Sequence, residues 1–267
     1  MNFFKIAKKS LGQNFLIDQN IINKIIKIGK IAENKTVLEI GPGYGNLTRK
    51  IANMKPKKIL AIEKDKKLAL FLKNIFKDFK NIKIINNDIF NIIENKNLGQ
   101  NTIVFGNLPY NISTQILASL VLLEKWPPWY EILIFMFQKE VADRILAKNI
   151  KNFGRLSILC NWRLDIKKHF DISKNCFFPK PKINSTVLSF TPKKNNLFNI
   201  KNPKHLEMVT RVLFSSRRKM INKNFVKLFG NDESVANDLN LNLNQRPEEL
   251  NNEMFYRITM KYEELFN

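Results

Sequence analysis

Residues 36–65 read TVLEIGPGYGNLTRKIANMKPKKILAIEKD. A short β-branched apolar run, TVLEI, breaks into Gly41-Pro42-Gly43-Tyr44-Gly45, continues through NLTRKIANM with helical spacing, and returns to a second apolar run, KILAIEKD. Near-continuous apolar strands suit a sheet covered on both faces, and a strand-helix-strand unit joins parallel strands. The alternation extends outward. Strands are expected at 83–88, 102–107 and 131–137, and helices in KKLALFLKNIFKDF, STQILASLVLLEK and QKEVADRILAK. The predicted fold class is α/β, a doubly wound, mostly parallel sheet. Two further runs, LSILCNWRLDI (156–166) and STVLSFTP (185–192), have too little chain between them for a crossover helix. They are expected as an antiparallel hairpin at the sheet edge, bringing the sheet to seven strands. After TPKKNNLFNIKNPK (191–204) strand runs stop and helical patterning takes over. The expected organisation is a sheet domain over 1–192 and a small helical domain over 193–267.

Composition narrows the partners. The chain has 267 residues, with 45 Lys+Arg against 23 Asp+Glu and a net charge of +22. That excess points to a polyanion, nucleic acid before a membrane surface, although a Lys-, Asn- and Ile-rich composition accounts for part of it. No apolar run is long enough to span a bilayer, and MNFFKIAKKSLGQ has neither the apolar core nor the cleavage site of a signal peptide. Cys160 and Cys176 have no C-x-x-C spacing and are expected as reduced thiols of a cytoplasmic protein. His169 and His205 stand alone, and no metal site is expected.

Ligands of doubly wound sheets bind beyond the carboxyl ends of the strands. After the first strand, Gly41, Gly43 and Gly45 allow a sharp turn and close approach of a ligand to the backbone. Their spacing is neither G-x-G-x-x-G nor that of a phosphate loop. Glu63, at the end of the second strand, lies about twenty positions on, where a carboxylate accepts ribose hydroxyls. Asp88, in NNDIF, stands where it can accept from an adenine amine. Three successive strand ends thus point to an adenosine-bearing cofactor. A glycine turn without dinucleotide spacing favours S-adenosylmethionine over NAD.

FGNLPYNIST (105–114) follows the fourth strand. Adenine N6 is a weak nucleophile because its lone pair is delocalised into the ring. A site that methylates it must hold the N–H groups with neutral acceptors and aim the lone pair at the methyl carbon. The Asn107 amide oxygen and the Leu108 carbonyl are suited to this, Pro109 sets the turn, and Tyr110 offers a stacking face. Phe177, ahead of the Pro179/Pro181 turn, is expected as a second stacking wall for an unstacked base.

Taken in order, SLGQNFLID (10–18), LEIGPGYGNLT (38–48), AIEKD (61–65), NNDIF (86–90), FGNLPYNIST (105–114), FQKEVADRI (137–145), FGRLSIL (153–159), FFPKPKINSTV (177–187) and FSSRRKMINKN (214–224) resemble the KsgA-type small-subunit ribosomal RNA adenine-N6,N6-dimethyltransferases across nearly the whole chain. The resemblance implies a Rossmann-like methyltransferase domain with a helical C-terminal domain. It also implies dimethylation of two adjacent adenosines near the 3′ end of 16S rRNA during ribosome assembly, by a monomer with no membrane partner. By resemblance alone, Asn14 and Leu16 join Gly41, Gly43, Glu63, Asp88 and Asn107 around the cofactor. Lys8, Lys9, Arg217, Arg218 and Lys219 are the expected RNA contacts, the last three opening a C-terminal helix. Asn184, Phe178 and Ser215-Ser216 depart from the family pattern. Two other readings share parts of it: large-subunit adenine methylases of the antibiotic-resistance type, and a nucleic-acid-binding assembly or transcription factor without catalysis. The GQNFLID start, FGRLSIL and the RRK segment favour the small-subunit enzymes.

Overall fold

The structure, a computed structural model, describes residues 13–94, 98–147, 153–195, 197–231 and 234–266. It divides into two compact units, one within Met1–Leu120, Pro127–Ala142 and Ile166–Pro192, the other within Val121–Trp126, Asp143–Asp165 and Lys193–Asn267.

In chain order the first unit begins with β1 (Phe15–Leu16), α1 (Gln19–Gly29), β2 (Thr36–Ile40), α2 (Asn46–Asn53), β3 (Lys58–Glu63), α3 (Lys66–Ile75) and β4 (Ile82–Asn86). It continues with β5 (Thr102–Gly106), α4 (Ser113–Val121), β6 (Tyr130–Gln138) and α5 (Lys139–Leu146), the last residues of both helices counting with the second unit. Then, after α6 (Arg155–Arg163), come β7 (Leu164–Ile172), β8 (Phe177–Phe178) and β9 (Ser185–Pro192). Among the described residues seven strands form one sheet in the order β4-β3-β2-β5-β6-β9-β7. The five strands from β4 to β6 pair in parallel, and β9 runs antiparallel to β6. Val37, Leu38, Ile59, Leu60, Ile103, Val104, Phe105, Leu133, Ile134 and Phe135 are buried along these strands, as a two-faced sheet requires.

Helix starts are set locally. The Asp18 carboxylate accepts from the Asn20 and Ile21 amides at 2.9 and 3.0 Å to begin α1. Asp65 does the same for Lys67 and Leu68 at the start of α3. From β2 the chain winds outward to β3 and β4, then crosses to the other side of β2 as β5. This reversal lies between β2 and β5, whose register sets Ile40 beside Gly106. Gly41 and Asn107, the next residues, therefore leave the sheet side by side at its carboxyl edge.

The second unit packs α6 with α7 (Pro203–Leu213), α8 (Asn222–Phe229), α9 (Ser234–Asp238) and α10 (Asn252–Phe266). Phe153, Phe214 and Phe255 form its aromatic centre, and the Tyr256 hydroxyl donates to the Ile158 carbonyl at 2.9 Å. The Arg163 guanidinium lies between the Trp126 and Trp162 rings, 4.7 and 3.8 Å from their centroids. Arg163 also donates to the carbonyls of Val121 and Leu123, at 3.3 and 2.8 Å.

One expected strand is a helix. LSILCNW belongs to α6, and the edge strand β7 starts only at Leu164. Ser157, Ile158, Leu159, Cys160 and Trp162 are all buried there. A short helix buried on every side shows no polar stripe, so its apolar run has the same pattern as a buried strand. The helical unit also takes in 121–126 and 143–165, which a single cut near residue 192 leaves outside it. No helix among the described residues is long and apolar enough to cross a membrane.

Candidate active site

At the carboxyl edge of β2 and β5 lies an open cleft bounded by the glycine turn, the 13–16 segment, Glu39, Glu63 and Asn107. A second depression runs past the end of β3 to Asp88 and shares Gln13, Gly41, Glu63 and Pro109 with the first.

Gly41 has φ +69°, and nothing stands within 4 Å of where its Cβ would be, so bare backbone forms the cleft wall. Gly43, at φ +58°, is the opposite case: an added Cβ would lie 2.7 Å from the Phe15 ring. Gly43→Ala combines left-handed strain with this clash and is expected to cost about 1–3 kcal/mol. Thermal denaturation should show a lower Tm, and titration calorimetry a weakened affinity for S-adenosylhomocysteine.

Glu63 is 6% exposed, and its two carboxylate oxygens are each held by a backbone amide, from Gly43 at 3.2 Å and Asp65 at 2.8 Å. Burial pushes its pKa up, and these amides pull it back. Each oxygen keeps a lone pair that can accept a ribose hydroxyl. Asp88 begins a 3-10 turn by accepting from the Phe90 amide at 3.2 Å, and it pairs with Lys64 at 2.7 Å. Burial raises its pKa, but the Lys64 and Phe90 hydrogen bonds outweigh this and hold the carboxyl below its ordinary value. Asp88 lines the second depression, apart from Asn107, which lines the first.

Asn107 donates through Nδ2 to the Asn14 carbonyl at 2.8 Å, which leaves Oδ1 as the acceptor end of the amide. Asn46 donates likewise to the Leu16 carbonyl at 2.9 Å. The 14–16 segment is thus tied to the sheet edge by two side-chain amides. Leu108 buries its side chain in the core. The Pro109 carbonyl accepts from the amides of Ile112 and Ser113 at 3.1 and 3.0 Å, turning the chain into α4. The Tyr110 hydroxyl and Ser185 Oγ are 2.7 Å apart, which fixes the ring's far end on β9; burial raises the phenol pKa.

Phe177 is not an open stacking wall. It is 3% exposed and lies in the apolar cluster with Leu16, Phe105 and Val187. The cause is the pairing of β1 with β8, which sets Leu16 opposite Phe177 and folds the ring inward. Lys8 and Lys9 fall outside the described residues. Arg217, Arg218 and Lys219 do not open a helix but form the turn before α8. Arg217 pairs with Glu248 at 2.7 Å, while Arg218 and Lys219 line a depression with Lys223, Lys227 and Arg246.

Two site residues escaped the sequence reading. Asn46 carried no distinguishing signal. Glu39 did: a carboxylate inside the apolar run TVLEI, two residues before the first glycine, is costly to bury without a task. It is 2% exposed and accepts from the Thr48 hydroxyl at 2.6 Å.

The sequence model of the ribosomal RNA adenine dimethylases matches residues 4–264. The ribosomal RNA small subunit methyltransferase A of Pelagibacter ubique is 50% identical over 263 residues, covering 98% of this chain and 99% of that protein. The protein of the same name from Wolbachia sp. subsp. Drosophila simulans is 40% identical over 269 residues, covering 99% and 96%. Among solved structures, a dimethyladenosine transferase from Plasmodium falciparum superposes with a TM-score of 0.74 at 24% identity, covering 94% of this chain and 98% of that one. The 23S rRNA methyltransferase ErmE superposes at 0.66 with 20% identity, covering 93% and 99%. These two likenesses speak for the fold; the family rests on the sequence matches. Matched by the family model over nearly its whole length and 40–50% identical to relatives of the same length, this chain belongs to the ribosomal RNA adenine dimethylases.

Proposed function

We propose that this protein dimethylates N6 of two adjacent adenosines near the 3′ end of 16S rRNA, as a cytoplasmic monomer acting on an immature small subunit. S-adenosylmethionine is the cofactor, and when bound it supplies an electrophilic methyl on a positively charged sulfur. The open backbone at Gly41 and the spare acceptor capacity of Glu63 fit its methionine and ribose parts. Asp88, through an acceptor lone pair, suits its adenine amine, and Asn14 and Leu16 close the cleft through the segment that Asn107 and Asn46 hold.

The observation that carries the catalytic reading is the Asn107 amide. Its N–H end is engaged by the Asn14 carbonyl, so the oxygen is the end available to an N–H of the target amine. The Leu108 carbonyl is the second neutral acceptor. Together they orient the nitrogen lone pair, and the Tyr110 ring, anchored at Ser185, supports the base plane. The amine becomes acidic as the N–C bond forms, so its proton passes to solvent without a strong base. Arg218 and Lys219, together with Lys223, Lys227 and Arg246, give rRNA phosphates a basic surface. Lys8 and Lys9 are proposed contacts from sequence.

The test is labelled-methyl transfer to purified ribosomal subunits followed by nucleoside mass analysis. Dimethyladenosine in the small subunit alone is expected; label in the large subunit would overturn the assignment. Affinity for the rRNA should also fall by about a hundredfold or more between roughly 50 and 200 mM salt, as release of counterions from several phosphate contacts demands. A filter-binding series at graded salt checks it, and a flat response would remove the electrostatic part of the argument.

A further inference from the structure

Glu39 lines the cleft but has no part in the mechanism above. It sits on β2 with its carboxylate on the Thr48 hydroxyl of α2, and the carboxylate of Glu63, from the neighbouring β3, lines the same cleft. On its other flank the strand partner is Phe105 of β5, which is apolar. The remaining ionisable side chain of the lining is Tyr44, whose phenol is kept neutral by burial and by the nearby Asp65. Among the described residues lining this cleft there is no lysine, arginine or histidine, although the chain as a whole carries +22. Two buried carboxylates without a cation are unfavourable in an empty cleft and favourable around a positive ligand.

We propose that Glu39 sets the preference of this cleft for the sulfonium form of the cofactor over its neutral thioether product. The inference rests on the reading of this cleft as the S-adenosylmethionine site. Transfer breaks the S–CH3 bond and forms the N–CH3 bond. The sulfur changes from a cation to a neutral thioether, and the amine releases one proton to solvent. Only the charge on sulfur is lost, the α-ammonium being common to cofactor and product, so the two carboxylates would hold the product less well than the incoming cofactor. An enzyme that methylates one nitrogen twice must exchange product for cofactor between transfers, and this preference drives that exchange.

The pH response follows in sign. Burial, opposed by the Thr48 hydrogen bond and reinforced by Glu63, pushes the Glu39 carboxyl up to about 7. Above that pH it is ionised, so affinity for a ligand charged at the sulfur position rises as pH passes 7 by more than affinity for the thioether, which carries only the α-ammonium all three ligands share.

Titration calorimetry with S-adenosylmethionine, S-adenosylhomocysteine and sinefungin, an unreactive analogue with an ammonium where the sulfonium stands, tests this at about pH 6 and pH 8. The two cationic ligands should gain about tenfold in affinity over that range and the thioether less than about twofold. Glu39→Gln keeps an acceptor for Thr48 and should flatten the pH response and reduce the cationic preference about tenfold. Equal loss for all three ligands, or an unchanged preference, would overturn the proposal and leave Glu39 as a support of the glycine turn. If the variant does not fold, the wild-type pH profiles with the three ligands decide it alone. Failure of the wild type to bind any of the three would instead overturn the cofactor reading beneath it.

Discussion

Asn107→Ala is expected to lower single-turnover methyl transfer by about a thousandfold while the protein still folds and binds rRNA. The side chain stands at the carboxyl end of β5, next to Gly41 across the β2–β5 register. Its Nδ2 is committed to the Asn14 carbonyl at 2.8 Å, and this bond presents Oδ1 as an oriented acceptor. Alanine removes that acceptor at the moment the amine must shed its delocalisation, so the loss falls on kcat more than on KM. A smaller loss of cofactor affinity accompanies it, because the Asn14 carbonyl also loses a donor; Asn46 still holds the segment at Leu16. Asn107→Asp separates the two effects. It restores an acceptor, but it cannot donate to Asn14 and it adds a negative charge beside Glu39 and Glu63 in the cleft lining. Quenched single-turnover assays with an rRNA fragment, paired with calorimetry on S-adenosylhomocysteine, read both terms. An alanine variant within about tenfold of wild type would remove Asn107 from the chemistry.

Arg163→Met should produce the largest loss of stability among single changes outside the cleft, about 3–5 kcal/mol. Arg163 is 5% exposed, its guanidinium lies close to the Trp126 and Trp162 rings, and it donates to the carbonyls of Val121 and Leu123. A planar, weakly hydrated cation is suited to this slot, where two indole rings lie within 5 Å and Nη1 donates to the carbonyl of the last residue of α4 and to one just past it. Methionine fills much of the volume but leaves both carbonyls without these donors in a dry site. Arg163→Lys keeps the charge and loses the fork, so it should recover only part of the difference. Denaturant unfolding followed by the fluorescence of the flanking tryptophans measures it. A cost under about 1 kcal/mol for the methionine variant would mean that packing against the indoles, and not the hydrogen bonds, holds the slot.

The seven-stranded sheet was legible at the level of its parallel core, because two-faced burial writes itself as short apolar runs between helical periods. The glycine turn was legible for a separate reason: Gly41, Gly43 and Gly45 all have positive φ, a backbone requirement that shows in residue type. Glu63 and Asp88 could be placed because the first ends β3 and the second lies two residues past β4, strands whose ends are fixed by their neighbours. The α6 segment could not, since a helix with no wet face presents no period to count.

Amino-acid order alone thus determined the alternation of strands and helices, the handedness demanded of the turn and the chemistry available at each strand end, all properties of residues a few positions apart. The fold decided what each side chain faces. It tied Asn107 to Asn14 across 93 positions, turned Phe177 into the core beside Leu16, paired Arg217 with Glu248, and brought Glu39 and Glu63 into one cleft. Those outcomes depend on strand register and on which surfaces meet. Both are set by long-range pairing that no local period encodes.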